Sequence, residues 1–267
     1  MKRFFRFKAL HRCALISTVA CLAGGSIAAR ADTEKPDVNQ GWKITVGPGI
    51  FVAPSFPGSA KLKAYPFPAL DISYNDRLFS QGPDVLGVNV FRGQNYHVGT
   101  SISFDFQSRD TNDDPRLHGL PTVHFGPKLR LFADYTWWAF TGSIALYQDI
   151  AGNRQGKTVM TDVVASAPIG RLLLSVGPGF TWADAQYTRT FFGVTPEQSA
   201  ASGLRPFEAG SGIRDVHMNI DATYDISRRW TSSLAVTTGL LQHDAAASPI
   251  TEHRFELNVF ASVGYRF

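Results

Sequence analysis

The sequence predicts an all-β fold, a transmembrane antiparallel up-and-down β-barrel of about twelve strands, and three observations carry that expectation. Apolar and polar side chains alternate in segment after segment, the connectors alternate between tight turns and longer loops, and the chain ends on Tyr265-Arg266-Phe267. A tilted strand needs ~9–11 residues to cross a bilayer. In a barrel wall one face of each strand meets lipid and the other meets the lumen, so period-two alternation is the expected signature.

The last segment shows it most clearly. Phe255, Leu257, Val259, Ala261, Val263, Tyr265 and Phe267 share one parity, against Arg254, Glu256, Asn258, Ser262, Gly264 and Arg266. Closure of a barrel would place this strand beside the first one, Trp42 to Val52.

The first residues read differently. Lys2, Arg3, Arg6, Lys8 and Arg12 precede an apolar, small-residue stretch, and Ala29-Arg30-Ala31 forms an A-x-A cleavage site. That is the grammar of an export signal. The expected organisation is therefore a cleaved signal over residues 1–31, a polar lead-in over 32–41 and a barrel over 42–267. All 22 acidic residues follow Ala31 and six of the 26 basic ones precede it, leaving 20 basic against 22 acidic side chains and a net charge of −2. A basic nucleic-acid-binding reading loses its support. Both cysteines, Cys13 and Cys21, lie in the signal, which excludes disulfide stapling or cysteine-ligated metal in the remainder.

Trp42, Ile44, Val46, Ile50 and Val52 begin the alternation, which breaks at Pro54-Ser55-Phe56-Pro57-Gly58-Ser59. The next segment carries Pro66 and Pro68 and settles into Leu70, Ile72 and Tyr74. Two short strands surround Gly82-Pro83-Asp84, and without that pair the count falls to ten. Tyr96, Val98, Thr100, Ile102, Phe104 and Phe106 then alternate with polar residues, followed by Val123, Phe125, Leu129 and Leu131, and by Trp138, Phe140, Ile144, Leu146 and Ile150. Later strands centre on Val163, Val176, Ile220 and Val236. Tight turns are expected at Asn75-Asp76, 92–95, 133–135, 168–171 and 227–229, and longer loops at 54–61, 110–119, 151–156, 185–212 and 243–252. Short turns face the periplasm and long loops the exterior in such barrels. The repeated Val-Gly-Pro-Gly at Val46 and Val176 suits bends or bulges rather than a phosphate-cradling loop, because neither leads into a helix.

One helix is expected. Thr195 can cap it, Pro196 fits its first turn, Gln198 completes a capping box and Gly203 can end it. Set between Phe191-Phe192 and Arg205-Pro206-Phe207, this loop is the candidate site for plugging the barrel, covering its mouth or receiving a partner. His97, His124 and His217 share lumen parity with Asp105, Asp149, Asp162, Asp221 and Glu256, an inventory that suits a salt-bridged interior. No H-E-x-x-H, paired C-x-x-C or G-x-S-x-G element occurs, so no catalytic, cofactor or metal residue is assigned. Asp110, Asp113 and Asp114 lack the glycine and terminal glutamate of an EF-hand and read as a solvated loop tip.

The stretch Phe191-Phe192-Gly193-Val194-Thr195-Pro196-Glu197-Gln198-Ser199-Ala200-Ala201-Ser202-Gly203-Leu204 resembles the F-G-V-[ST]-x-x-Q-[AS]-x-x-S-G-L segment of the MipA/OmpV family of outer-membrane proteins, the MltA-interacting proteins. Phe56-Pro57-Gly58-Ser59, Pro66-Phe67-Pro68, His118-Gly119-Leu120, Gly210-Ser211-Gly212-Ile213 and Ser248-Pro249-Ile250 support it. Phe56 stands where tyrosine is usual, and Leu120-Pro121 replaces a Leu-Gly-Asp run.

The resemblance implies a non-enzymatic envelope protein, and the expected barrel is a monomer. Its expected surroundings are membrane lipid and the barrel-assembly machinery, with a lytic transglycosylase and a peptidoglycan synthase as partners of a scaffold. A narrow small-solute channel, or an adhesion or antibiotic-interacting envelope protein, is the alternative. The residues it singles out are Phe191, Phe192, Gly193, Thr195, Pro196, Gln198, Gly203 and Leu204.

Overall fold

The computed structural model describes residues 41–267. The expected export signal, and the lead-in apart from Gly41, lie outside the described residues. Twelve strands form one closed antiparallel barrel. They are β1 (Trp42–Pro54), β2 (Leu62–Tyr74), β3 (Leu78–Gln81), β4 (Asp84–Arg92), β5 (Tyr96–Asp105), β6 (Gly126–Trp137), β7 (Phe140–Asp149), β8 (Lys157–Ile169), β9 (Leu172–Ala183), β10 (Gly212–Asp225), β11 (Trp230–Leu241) and β12 (Phe255–Arg266). Each pairs with its sequence neighbour, and the seam closes between β1 and β12, with Val46 opposite Tyr265 and Val52 opposite Val259. The short β3–β4 pair is present, so the strand count is the larger of the two expected.

The parity read from sequence becomes inside and outside. On β10, Val216, Met218 and Ile220 are exposed, whereas His217 and Asn219 between them are buried in the lumen. An apolar outer face is the stable solution where the surrounding solvent is hydrocarbon. Aromatic rings gather at the tight-turn end: Trp42 packs on Tyr74 at 4.9 Å, Trp230 on Tyr265 at 5.2 Å, and Trp138, beside Phe140, is 81% exposed. Such rings suit the interface between hydrocarbon and headgroups. Val259→Arg, on the outer face of β12, is expected to destabilise the barrel by ~2–4 kcal/mol. Reversible unfolding in lipid vesicles checks this, against an unchanged midpoint for Ser232→Thr.

Pro48 and Pro178 both face outward, and at each the ladder on one side is interrupted. A Cβ on Gly47 would lie 1.8 Å from the Val263 carbonyl oxygen, and one on Gly177 would lie 2.0 Å from that of Val163. In both repeats, then, glycine lets the backbone close onto its neighbour where proline has removed a donor.

Several expectations need correction. Residues 133–135 belong to β6, and the turn is Trp138-Ala139, with Trp138 at a φ of +56° and Trp137 opposite Phe140. Val123 and Phe125 precede β6, and Val123 instead bridges Arg109. The loop between β5 and β6 therefore runs over 106–125, longer than expected, because the pairing of Asp105 with Gly126 ends the ladder there. His124 is consequently exposed outside the wall and does not face the lumen. In place of one helix the described residues hold three, α1 (Ala185–Phe192), α2 (Pro196–Ser202) and α3 (His243–Ala247), and a 3-10 turn at Pro115–Leu117.

Candidate functional site

The long loops converge into a packed cap over one end of the barrel. Asp184 starts α1 by accepting a hydrogen bond from Tyr187 N, and Tyr187, Phe191 and Phe192 then fall at helical spacing on one face, each fully buried. They pack with Val123, Ala183, Ala209, Leu241 and Ala245, which joins α1 to α3 and to the strand ends. A second core unites Phe56, Leu117, Leu120, Val194 and Ile250 from four different loops. The signal for α1 was available in the sequence: an aspartate cap followed by Tyr187 and Phe191 four residues apart.

Arg109, 2% exposed, donates from Nη1 to the Phe191 carbonyl at 2.8 Å and from Nη2 to that of Pro121 at 3.2 Å. The guanidinium thus sits at the carbonyl end of α1, where the helix dipole favours a cation. Burial without a facing carboxylate lowers its pKa to about 10. Ser248 Oγ donates to the Phe192 carbonyl at 2.6 Å, tying α1 to the loop before β12.

The family-like stretch divides in two. Phe191, Phe192 and Gly193 are buried within the cap, where Gly193 N donates to the Arg189 carbonyl as α1 ends. Thr195, Pro196 and Gln198 form the exposed start of α2, with both hydrogen bonds of the capping box present. Gly203 ends α2 at a φ of +75°, and Leu204 packs back onto the second core. No residue of α2 is fully buried, but Gln198, Ser199 and Ser202 are half-buried and Gly119 lies close against Ala201.

The acidic loop is not a solvated tip. Asp114 is 6% exposed; it accepts from Lys61 Nζ at 2.8 Å and caps the 3-10 turn through Arg116 N. Asp113 pairs with Lys63 at the start of β2. The lysine holds the Asp114 carboxyl below its ordinary pKa. A carboxylate with a depressed folded-state pKa contributes stability that is complete above its unfolded value and lost as pH falls through the folded one. Acidification below about pH 4 is therefore expected to free the 106–125 loop, read as faster amide exchange there, and Asp114→Asn should show fast exchange already at pH 6.

The lumen below the cap is divided by chemistry. On the β8–β11 side, His217 lies 2.8 Å from both Asp162 Oδ1 and Asp215 Oδ1. Asn219 donates to Asp162 at 2.8 Å and accepts from Thr237 at 2.9 Å. Arg214 joins Asp215 at 2.5 Å and donates to the Tyr187 hydroxyl at 2.7 Å, linking this network to α1. Across the barrel Arg130 Nη1 meets Asp84 Oδ2 at 2.6 Å, while Ser101 donates to the other carboxylate oxygen at 2.9 Å. Among the described residues no group of three or more His, Cys, Asp or Glu side chains is arranged to hold a metal ion.

The β12–β1–β2 side is aromatic. Phe67 packs edge-on against Phe106 at 5.3 Å and Phe260 at 6.1 Å, and Phe51 lies 6.4 Å from Tyr65 and 6.2 Å from Phe106. Phe51, Tyr65, Phe106, Gln107, Glu256 and Asn258 border a narrow cleft that is open to solvent on one side. Glu256 is 6% exposed and accepts from Gly58 N at 2.9 Å. Sequence reasoning passed over these rings; their signal was aromatic residues at the lumen parity of β1, β2 and β12, where polar ones were expected.

Twelve strands closed on themselves, an apolar outer belt and a polar interior define an outer-membrane β-barrel, here with its long-loop end capped. The chain belongs to the MltA-interacting protein MipA family, whose model matches residues 46–267. It is 23% identical over 193 residues to outer membrane protein Omp26La of Vibrio anguillarum, covering 72% of this chain and 70% of that one. Outer membrane protein OmpV of Vibrio cholerae matches at the same identity and coverage. Among solved structures, the outer membrane channel DcaP of Acinetobacter baumannii aligns with a TM-score of 0.37 and 9% identity, over 85% of this chain and 96% of that one. OmpF of Salmonella typhi aligns with a TM-score of 0.34 and 14% identity, over 68% of this chain and 49% of that one.

Proposed function

We propose that this barrel is a non-enzymatic, monomeric component of the outer membrane, exported by the segment 1–31, that holds a lytic transglycosylase and a peptidoglycan synthase close to the membrane. The observation that carries this reading is the cap: two apolar cores close the long-loop end, which favours a structural role over open conduction. The family's description as MltA-interacting supports the transglycosylase as partner, and the tight-turn rim is the face such a periplasmic partner would meet. Affinity capture with the solubilised mature chain on envelope extract is expected to recover a murein hydrolase or synthase; repeated recovery of neither would overturn the scaffold. A narrow solute path is the second reading, favoured by lumen residues of both signs such as Arg130, Asp162 and His217. Discrete conductance steps in a planar bilayer would replace the first reading with the second.

A further inference from the structure

The barrel wall has a stretch without pairing. β3 is four residues long and meets β2 only from Asp71 to Tyr74. The β4–β5 ladder begins with Asp84 opposite Ser103, and the turn between β3 and β4 lies at Gly82-Pro83. Residues 62–69 of β2 therefore pair with β1 on one edge, while their other edge has no strand partner among the described residues. β2 is apolar on its outer face along that length, through Leu62, Ala64, Pro66 and Pro68. This free edge lies in the long-loop half of the wall.

The sequence is adapted to that edge. Pro48 stands opposite Pro68, and since neither has an N–H, the two form a pair without hydrogen bonds between β1 and β2. The even-numbered residues of β2 then point their backbone groups away from β1, toward the open side, as the Leu70 carbonyl does in accepting from Gly82 N at 3.3 Å. Pro66 and Pro68 thus remove donors from an edge that hydrocarbon cannot satisfy. Proline also prevents another strand from adding there.

What fills the breach is aromatic. By parity Phe106 would face lipid, but just past the end of β5 it turns inward between Phe51 and Phe67, and its outer side meets Phe125 at 6.1 Å. Phe125 is 55% exposed. A line of rings therefore runs from Phe260 in the lumen through Phe67 and Phe106 to Phe125 outside. Above the breach, the pairs Lys61 with Asp114 and Lys63 with Asp113 hold the 106–125 loop in place.

We propose that the unpaired seam beside β2 is a lateral portal, through which an amphiphile dissolved in the outer leaflet reaches the aromatic cleft, its apolar or aromatic body against Phe51, Tyr65 and Phe106 and a hydrogen-bond-donating head at Glu256. The rings set the class of the body, and the buried carboxylate sets that of the head. This inference rests on the wall and the cleft and is independent of the scaffold reading.

The test uses the mature chain in phosphatidylethanolamine–phosphatidylglycerol vesicles with N-phenyl-1-naphthylamine, an aromatic body bearing an N–H donor. The portal predicts a saturable component of one probe per barrel above that of protein-free vesicles. Phe51→Ala and Tyr65→Ala should each weaken it by about tenfold, with Val163→Ala on the opposite wall as the unaffected control. Phospholipids brominated in their acyl chains should quench the bound probe, and aqueous iodide should not. Absence of a saturable component, or equal affinity in Phe51→Ala and Tyr65→Ala variants that keep their heat-modifiable mobility, would overturn the site. Quenching by iodide alone would overturn the lateral route.

Discussion

Phe191→Ala is expected to destabilise the cap by about 3–5 kcal/mol, the range for removing a buried phenyl ring from a packed cluster. Phe191 is fully buried, lies 4.7 Å from the Tyr187 ring at a tilt, and shares its cluster with Val123, Ala183, Ala209, Leu241 and Ala245. Its loss should release α1, leave Arg109 facing a mobile carbonyl, and expose 184–211 to protease. The barrel wall should persist, since its ladders do not involve this ring. Limited proteolysis read beside heat-modifiable mobility separates the two events, and concerted loss of both would show that cap and wall fold as one unit.

Asp84→Leu should cost the wall a comparable ~3–5 kcal/mol, the range for removing one partner of a buried ion pair. Arg130 and Asp84 are both nine-tenths buried, and Arg130 is also stacked 4.3 Å from the Phe132 ring centre. The leucine would take from that cation its hydrogen-bonded carboxylate, leaving Asp134 as the remaining acidic neighbour, and leave Ser101 without its acceptor. Unfolding midpoints in urea measure the effect. A double variant with Arg130→Met should recover much of it, because the penalty comes from the uncompensated charge rather than from loss of the pair's net attraction.

The fold was legible because a strand's inside and outside are recorded in its own residues. Alternation at Tyr96 to Phe104 and at Phe255 to Phe267 specified the wall, and the placement of β12 beside β1 followed from closing it. The helix α2 was equally local, fixed by Thr195, Gln198 and Gly203. The Trp138-Ala139 turn was not, because aromatic residues on both sides mask a two-residue hairpin that lacks the usual glycine or asparagine. α1 left a signal in Asp184 and in the Tyr187–Phe191 spacing, but eight residues did not stand out inside a long connector.

The candidate site was less legible, and for a different reason. Phe106 continues the outward parity of β5, and only the absence of a strand beside β2 leaves it room to turn inward. Asp113 and Asp114 look solvated until Lys63 and Lys61, about fifty residues away, are brought against them. By itself the sequence determined the barrel, the lipid-facing side of its long strands and the capped helix α2, while leaving ten or twelve strands open, since each depends on residues within about one turn or one pleat of one another. The tertiary structure decided which loops pack over the barrel end, which rings enter the lumen and where the wall stays unpaired, because these depend on contacts such as Gly58 with Glu256, separated by 198 positions.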